Sequence, residues 1–372
     1  MSRNYLPVSD HRFKKSPFFS CNEREDTLYG IYNNRLYPIS SGVNEREHYE
    51  NLRSRCCLYD VPETPLRVRG PDSLQLLDEL FTRRVSGIKV GKAGYAIACN
   101  HNGGVVMDGV LMRPNDQEFI YVQANGDFLN WASAIGKKYD AEIEDFDSWA
   151  LQIQGPTSLQ VLEKLAGMSI EDFPYYAVSE IEILGKAFLV SRSGWTGERG
   201  FELYSRDSNF NGADIWNELL RVGADDGLMA SDVSSMHVRR IEAGILDYGT
   251  DIDQSLNPYE IGLGRLLHLD KENFVGKQAL EATNRTELLL RGVKTQDYAP
   301  ERDDRLFDEN GIVIGRVTAG AYSYSLGYGI GFARLQQPLD YGTQVFVGTA
   351  IQKHSGEITK TPFLDPDRKL IR

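Results

Sequence analysis

The feature that most constrains the fold of this chain is a unit of strand, Gly-Pro turn and amphipathic helix that occurs twice. The first copy spans residues 68–77 (VRGPDSLQLL), and the second spans residues 153–162 (IQGPTSLQVL). Gly-Pro marks a turn, and the spaced apolar residues after it predict a helix with one apolar face. The copies lie about 85 residues apart, whereas solenoid repeats recur every ~20–50 residues. We therefore predict two related α+β subdomains.

The C-terminal part of the chain has a different pattern. Beyond Leu288 glycines are frequent, and residues 311–348 alternate short β-type runs with Gly turns. This alternation is typical of a small antiparallel barrel. The predicted fold class is therefore α+β, with the two subdomains in residues 1–284 and a C-terminal β-barrel domain in residues 285–372. Within the first part, the pattern predicts a helix over residues 45–58.

Composition and charge argue against several classes of protein. The 372-residue chain carries a net charge of −12, which argues against nucleic acid or an anionic membrane as the main partner, because both need a basic surface. It has no apolar run of the ~18 residues that a membrane span needs. The polar residues 1–15 predict neither a secretory signal nor a transit peptide, so we expect a cytoplasmic protein. The four cysteines and six histidines show no metal-site spacing, so we expect reduced thiols and no metal.

A glycine-rich segment offers the strongest signal of chemistry. Residues 193–204 (SGWTGERGFELY) follow a predicted strand over residues 183–191 and combine three glycines with two carboxylates and three aromatic rings. The end of the segment predicts a strand in which Glu202 and Tyr204 share a face. A carboxylate beside a ring suits a guanidine-like edge, such as that of a pterin, because it accepts two N–H bonds. An ordinary hairpin with a solvated Glu is the alternative at this point.

The segment is similar to the GYTGExGFEI stretch of the glycine cleavage T-protein family, the folate-dependent aminomethyltransferases. Other segments match that family in its order along the chain. Residues 102–108 (NGGVVMD) resemble GGIIDD, residues 240–244 (RIEAG) with 248–251 (YGTD) resemble RLEAG and YGND, and residues 315–327 resemble GxVTSG followed by TLG. The resemblance implies a three-domain cloverleaf that binds tetrahydrofolate.

The resemblance implies a catalytic role for Asp108, close to N5 of the folate. From the residues alone, a carboxylate after a Gly-Gly turn among apolar neighbours is either a cap or a functional group. The family's first aspartate of this motif is Met107 in this chain. This difference argues against a mechanism that needs both carboxylates.

The resemblance also implies a set of folate-binding residues. They are Glu202 on the pterin edge, Tyr204, Trp195, Arg240, Tyr248 and Asn125. Trp195 either walls the donor pocket or only packs, and Arg239 is expected on a solvated helix face. Met236 stands where the family carries an arginine. Arg265, Lys271 and Arg334 are equal candidates for holding the anionic folate tail.

These observations predict a transferase that moves a methyl or aminomethyl unit from a small methylated donor to N5 of tetrahydrofolate, as a demethylase of an S-, N- or O-methyl compound. Two stretches of the lead-in, residues 13–18 and 31–38, resemble the dimethylsulfoniopropionate demethylase branch, whereas residues 196–198 resemble the T-protein more closely. One alternative is a glycine cleavage T-protein that uses an aminomethyl-lipoyl carrier protein, which is not favoured. Another is a non-catalytic folate-binding protein, although the KGCYxGQE signature of those relatives does not occur here.

Overall fold

The structure is a computed structural model that describes residues 9–167, 169, 173–283 and 287–371. Its helices are α1 (Phe19–Asn22), α2 (Glu45–Ser54), α3 (Ser73–Leu80), α4 (Phe128–Gly136), α5 (Ser158–Ala166), α6 (Gly212–Gly223), α7 (Val233–Glu242) and α8 (Lys277–Ala282). Its strands are β1 (Leu28–Tyr32), β2 (Arg35–Ser40), β3 (Cys56–Val61), β4 (Thr64–Arg69), β5 (Lys92–Cys99), β6 (Val105–Arg113), β7 (Glu118–Gln123), β8 (Glu142–Asp145), β9 (Ala150–Gln154), β10 (Val178–Ile183), β11 (Lys186–Ser191), β12 (Gly200–Ser205), β13 (Leu228–Ala230), β14 (Leu290–Thr295), β15 (Arg305–Phe307), β16 (Val313–Ser323), β17 (Tyr328–Leu335), β18 (Gln344–Gly348) and β19 (Lys353–Thr359). In the described part of the chain, every helix is too short or too polar to span a lipid bilayer.

The repeated unit predicted from the sequence is confirmed. β4 leads into α3, and β9 leads into α5, each through the Gly-Pro turn. Gly70 and Gly155 adopt nearly the same conformation, with φ of 123° and 127°. A Cβ would lie 2.6 Å from the carbonyl oxygen of Asp140 at the first turn and 2.3 Å from that of Arg55 at the second. Both turns therefore need glycine for its φ and for its lack of a side chain.

Each copy of the unit belongs to its own sheet. The order of strands is β5-β6-β7-β4-β8 in one sheet and β10-β11-β12-β9-β3-β13 in the other, in which only β13 and β3 run parallel. α3 and α4 cover the first sheet, and α5 and α6 cover the second. Phe201 and Leu203 point toward α5 and α6, whereas Tyr204 meets Met112 of the other sheet in a core between the two sheets. β12 therefore alternates as predicted, with Glu202 on the inner face.

The C-terminal barrel is also confirmed. Its six strands close in the order β14-β17-β16-β15-β18-β19, from Leu290 to Thr359. These strands lie within the predicted barrel domain of residues 285–372 and extend on both sides of the alternating stretch over residues 311–348. An apolar cluster joins Phe332 of the barrel to Ile241 of α7 and Ile97 of β5. The predicted boundary between residues 284 and 285 lies outside the described residues, so the two-domain division remains a prediction.

Two local predictions were wrong in their bounds. The helix predicted over residues 45–58 ends at Ser54, and Cys56–Val61 forms a fully buried strand between β9 and β13. A buried strand is apolar on both faces, so it has no period that separates it from a helix. The single strand predicted over residues 183–191 is the second half of a hairpin that turns at Leu184 and Gly185, both with positive φ. The lead-in also contains the β1–β2 hairpin. No regular element was predicted there, because the sequence of the lead-in has a mixed pattern.

Candidate functional site

A cavity of about 790 Å³ lies where the two sheets, the β1–β2 hairpin, α7 and the barrel meet. This volume falls within the range of sites for drug-sized ligands. Five carboxylates line the cavity: Glu45, Glu63, Asp108, Glu202 and Asp247. Its aromatic walls include Tyr32, Tyr37, Tyr95, Tyr176, Trp195 and Tyr248. The cavity therefore combines flat apolar walls with a concentration of hydrogen-bond acceptors.

Asp108 lies on β6 with its carboxylate in the cavity wall and is only 5% exposed. The hydroxyl of Tyr95 donates to Oδ2, whereas Oδ1 is buried and has no hydrogen-bond partner among the described residues. Burial raises the pKa of Asp108 to about 6, the bond from Tyr95 opposes that rise, and the nearby Asp247 adds to it. A carboxyl group with such a pKa can accept or release a proton near neutral pH.

Met107, the neighbour of Asp108, points the other way. Its side chain is buried in the core under α3 and α4, because successive residues of β6 face opposite sides of the sheet. The position of the family's first aspartate is therefore occupied here by a core residue. Asp108 is the carboxylate of this motif that reaches the cavity.

Glu202 lies on β12 and is 7% exposed. The hydroxyl of Ser193 donates to one of its oxygens, and Nε2 of Gln152 donates to the other at 2.9 Å. Burial raises the pKa of Glu202. A carboxylate has about four lone-pair sites, so these two donors leave acceptor capacity for a ligand. Tyr204 shares this face but is fully buried, and the structure places it in the core between the sheets instead of in the cavity wall.

Arg240, Trp195 and Tyr248 line the same cavity as Asp108 and Glu202. Arg240 projects from α7, where its guanidinium pairs with Asp251 and donates to the carbonyl of Ile245 at 3.2 Å. Its Cζ lies 5.1 Å from the centre of the Trp195 ring, which is a cation–π distance. Trp195 is thus held against α7 while its ring walls the cavity.

Asn125 is placed differently. It is exposed just beyond the end of β7, and its side-chain oxygen accepts a hydrogen bond from the backbone of Asn33 at 3.1 Å. The amide of Asn33 in turn donates to the carbonyl of Ala124 at 3.1 Å. Asn125 therefore anchors the β1–β2 hairpin from outside the cavity. The register between a lead-in hairpin and β7 is not visible in the local sequence.

The three cations considered for the folate tail lie in different parts of the structure. Arg265 lines the cavity. Lys271 is buried elsewhere, where it donates to backbone carbonyls that include those of Phe81 at 2.7 Å and Arg83 at 2.9 Å, and burial lowers its pKa to about 8. Arg334 pairs with Asp253 at 2.9 Å on the barrel. Arg302 and Arg368, which the sequence did not single out, line the cavity as exposed side chains.

Other lining residues were not predicted from the sequence, because they lie outside the motifs. Glu63 occupies the short link between β3 and β4, and burial followed by the charges of Glu202 and Asp247 raises its pKa to about 8. Asp247 directly precedes the motif residue Tyr248, and that adjacency was an available signal. His237 lies one turn before Arg240 on α7, and burial lowers its pKa to about 4.

The prediction of a solvated Arg239 was wrong. Arg239 is fully buried, with its guanidinium 2.9 Å from Glu198 and 2.7 Å from Glu242. The hydroxyl of Tyr49 donates to Glu242 at 2.8 Å, and Ser323 of the barrel donates to the same carboxylate. Burying these charges is tolerated because each finds charged and hydrogen-bonded partners. The glycine-rich residues 193–204, which we call the signature segment, are thus tied to α7 and, through it, to the barrel.

Two family models match the chain. The GCVT N-terminal domain matches residues 28–271, and the glycine cleavage T-protein C-terminal barrel domain matches residues 289–365. An aminomethyltransferase of Halothermothrix orenii is 30% identical over 94% of this chain and 100% of its own length. One of Saccharopolyspora erythraea is 31% identical over 94% and 98%.

A solved structure has the same fold. The crystal structure of glycine cleavage system aminomethyltransferase T from Bartonella henselae covers 97% of this chain and 100% of its own with a TM-score of 0.87, at 21% sequence identity. The arrangement of two sheets and a closed barrel is therefore shared over the whole length. The chain belongs to the glycine cleavage T-protein (aminomethyltransferase) family, whose members use tetrahydrofolate as the acceptor of the one-carbon unit.

Proposed function

We propose that this chain transfers a one-carbon unit from a donor to N5 of tetrahydrofolate, with Glu202 on the pterin edge and Asp108 beside the reacting nitrogen. The observation that carries the proposal is the buried, unpaired Oδ1 of Asp108, which lies in the wall of the same cavity as Glu202 and the unpaired Oε1 of Gln152. A buried carboxylate oxygen without a partner is costly, and such groups concentrate at functional sites. The pairing of one satisfied and one unsatisfied carboxylate suits a binding group and a reacting group.

The residues present fit tetrahydrofolate. Glu202 offers acceptor sites to the N–H edge of a pterin, and the buried, unpaired Oε1 of Gln152 offers another acceptor beside it. Trp195 and Tyr248 supply flat walls for a ring system. The exposed guanidiniums of Arg265, Arg302 and Arg368 would face the carboxylates of the tail at the solvent side of the cavity.

The chemistry asks little of the protein beyond alignment and one proton transfer. Bound tetrahydrofolate would supply the nucleophile, the lone pair of its secondary amine N5. Asp108 would accept the proton that this amine loses as its bond to the transferred carbon forms, while the leaving group departs with the electrons of its own bond to that carbon. Arg240 holds Trp195 in the cavity wall. The enclosed cavity would hold donor and acceptor next to each other, so that the bimolecular reaction becomes effectively unimolecular.

For the donor we propose a small methylated compound. The β1–β2 hairpin places Tyr32 and Tyr37 in the cavity, which reduces the space that a protein-borne arm would cross. Met236 is 2% exposed in the cavity wall, at the position where the family resemblance leads us to expect an arginine. Both features favour a compact donor.

The second candidate is a T-protein activity with an aminomethyl group carried on a lipoyl protein. Curated relatives that are 30–35% identical bear the name aminomethyltransferase, and this name fits the second candidate better than it fits a demethylase. The cavity and the similarity comparisons therefore favour different donors for the same acceptor.

One assay separates the two candidates. The protein is mixed with tetrahydrofolate and either an aminomethylated lipoyl carrier or a panel of S-, N- and O-methyl compounds, and the folate product is identified by mass. Methyl-tetrahydrofolate from a small compound is expected. Methylene-tetrahydrofolate from the carrier, with no product from any small compound, would establish the second candidate. No folate product from either arm would contradict one-carbon transfer itself.

A further inference from the structure

Glu63 is a lining carboxylate that the proposed reaction does not use. It belongs to the short link between β3 and β4, which is fixed by a hydrogen bond from the guanidinium of Arg35 to its backbone carbonyl at 2.6 Å. Its side chain faces the cavity, and within the described residues it has neither a hydrogen-bond donor nor an ion-pair partner. A half-buried carboxylate without such partners would be stabilised by a bound cation.

The groups around Glu63 would also attract a cation. Asp247 lines the cavity from the turn after α7. Tyr32 and Tyr37, on the two strands of the hairpin, line it with ring centres 6.3 Å apart and planes at 81°. Such faces attract cations through the ring quadrupole.

Two further acceptors in the cavity wall are buried and unpaired. They are Oδ1 of Asp108 and Oε1 of Gln152, in side chains that are 5% and 1% exposed. Of the lining cations in the described residues, Arg240 is already paired with Asp251, and Arg265, Arg302 and Arg368 lie on the exposed side of the cavity. The charges of Arg240 and Arg302 act on Asp247. The inner part of the cavity therefore presents more negative charge and acceptor oxygens than its own side chains neutralise.

We propose that Glu63 and Asp247, together with the rings of Tyr32 and Tyr37, form a subsite for a cationic group of the one-carbon donor. The class of group is a quaternary ammonium, a tertiary sulfonium or a protonated amine. This inference rests on the proposed function, because it names the chemistry of the donor at the same site. A cation of this kind would place its positive charge between the two carboxylates and its apolar substituents against the rings.

The charges around Glu63 give the subsite a pH dependence. Burial raises the pKa of Glu63 to about 8, the charges of Glu202, Asp247 and Asp108 add to the rise, and Arg35 opposes it. Near pH 7 the empty site therefore holds a proton that a bound cation displaces. Affinity for the cation is expected to rise as pH increases toward 8, by at most about tenfold per pH unit, and to level off above it.

Choline and its neutral isostere, 3,3-dimethylbutan-1-ol, provide a matched pair of probes that require no folate. Calorimetric titration of the whole chain at pH 8 is expected to show choline binding at least about tenfold more tightly than the neutral alcohol. The Glu63→Gln variant is expected to lose about tenfold in choline affinity and to keep its affinity for 5-methyltetrahydrofolate within about twofold.

Glu45→Gln is the control variant, since Glu45 also lines the cavity but already accepts a hydrogen bond from Tyr324 at 2.7 Å. It is expected to bind choline as the original chain does. If Glu63→Gln does not fold, the comparison of choline with the alcohol on the original chain, at several pH values, still decides the matter.

Equal affinity for choline and the alcohol would overturn the subsite. A parallel loss of choline and folate affinity in Glu63→Gln would also overturn it, because Glu63 would then belong to the pterin site. The result is distinguishable from failure of the proposed function. Choline binding without any folate product would contradict one-carbon transfer alone, whereas transfer from donors regardless of their charge would contradict the subsite alone.

Discussion

At the scale of single residues, the site depends on how differently its two central carboxylates are satisfied. Glu202 receives donors from Ser193 and Gln152, whereas one oxygen of Asp108 receives none from the described residues. A satisfied carboxylate is held in one orientation and suits recognition. An unsatisfied one with a raised pKa suits proton transfer. In the proposed function, these environments give folate recognition to Glu202 and proton transfer to Asp108.

Asp108→Asn is expected to lower turnover by about a hundredfold or more, with little change in folate affinity, because it keeps the shape and removes the base. In the original chain the rate should rise with pH up to about 6, the pKa of Asp108, and then level off, since only the ionised form accepts a proton. Steady-state kinetics with the donor identified by the mass assay measures both effects. A variant with near-original turnover, or an unchanged pH profile, would remove Asp108 from the mechanism.

At the scale of elements, the two Gly-Pro turns carry the duplicated architecture. Each turn brings its helix back over its own sheet, and each requires a backbone that only glycine adopts at low cost. The turn at Gly155 also touches the signature segment, since its N–H donates to the carbonyl of Arg199 at 2.7 Å. The repeat therefore positions the loop that carries Trp195 and leads into Glu202.

Gly155→Ala is expected to destabilise the chain by about 2–4 kcal/mol, from the strain of a positive φ and from the added Cβ pressing on a carbonyl. Gly167→Ala is the matched control, because Gly167 also has a positive φ but a Cβ there would meet no atom of the described residues within 4 Å. The control should cost only about 1–2 kcal/mol. Urea unfolding of both variants measures the difference, and equal losses would show that the close approach at Gly155 is unimportant.

The buried charge network ties α7 to the signature segment and to the barrel. Removing Arg239 leaves Glu198 without one of its two cationic partners and takes from Glu242 its partner at 2.7 Å. Arg239→Met is therefore expected to lower the free energy of unfolding by about 3–5 kcal/mol. Arg221→Met, on an exposed helix face, is the control and should leave stability unchanged. Thermal and urea unfolding measure both, and similar stability of the two variants would contradict a structural role of the network.

At the scale of the whole molecule, local sequence patterns predicted the elements and motif residues that are encoded by residues close together in the chain. The strand–turn–helix units, the barrel and the motif residues Asp108, Trp195 and Arg240 are encoded in short segments, and the structure brings these three into one cavity. Glu63 and the hairpin tyrosines reach that cavity through contacts between distant parts of the chain. Their position depends on strand register and packing, which a single sequence does not reveal.

The prediction for Arg239 failed for a related reason. Its neighbours Arg240 and Glu242 made a solvated helix face plausible, because charged residues are mostly exposed. The structure instead covers that face with Glu198, Tyr49 and the barrel, which together satisfy the buried charges. Burial of a helix on several sides depends on how the domains pack together, so it is not visible in the local sequence.

The most direct test of the account is whether Glu202 holds folate in this cavity. Calorimetric titration of 5-methyltetrahydrofolate is performed on the original chain, on Glu202→Ala, and on Glu182→Ala, whose carboxylate is exposed on β10. We predict that Glu202→Ala weakens binding by about 1–3 kcal/mol, the cost of leaving buried donors unpaired, while Glu182→Ala binds as the original chain does. Unchanged affinity in Glu202→Ala, or no folate binding by the original chain, would contradict the account.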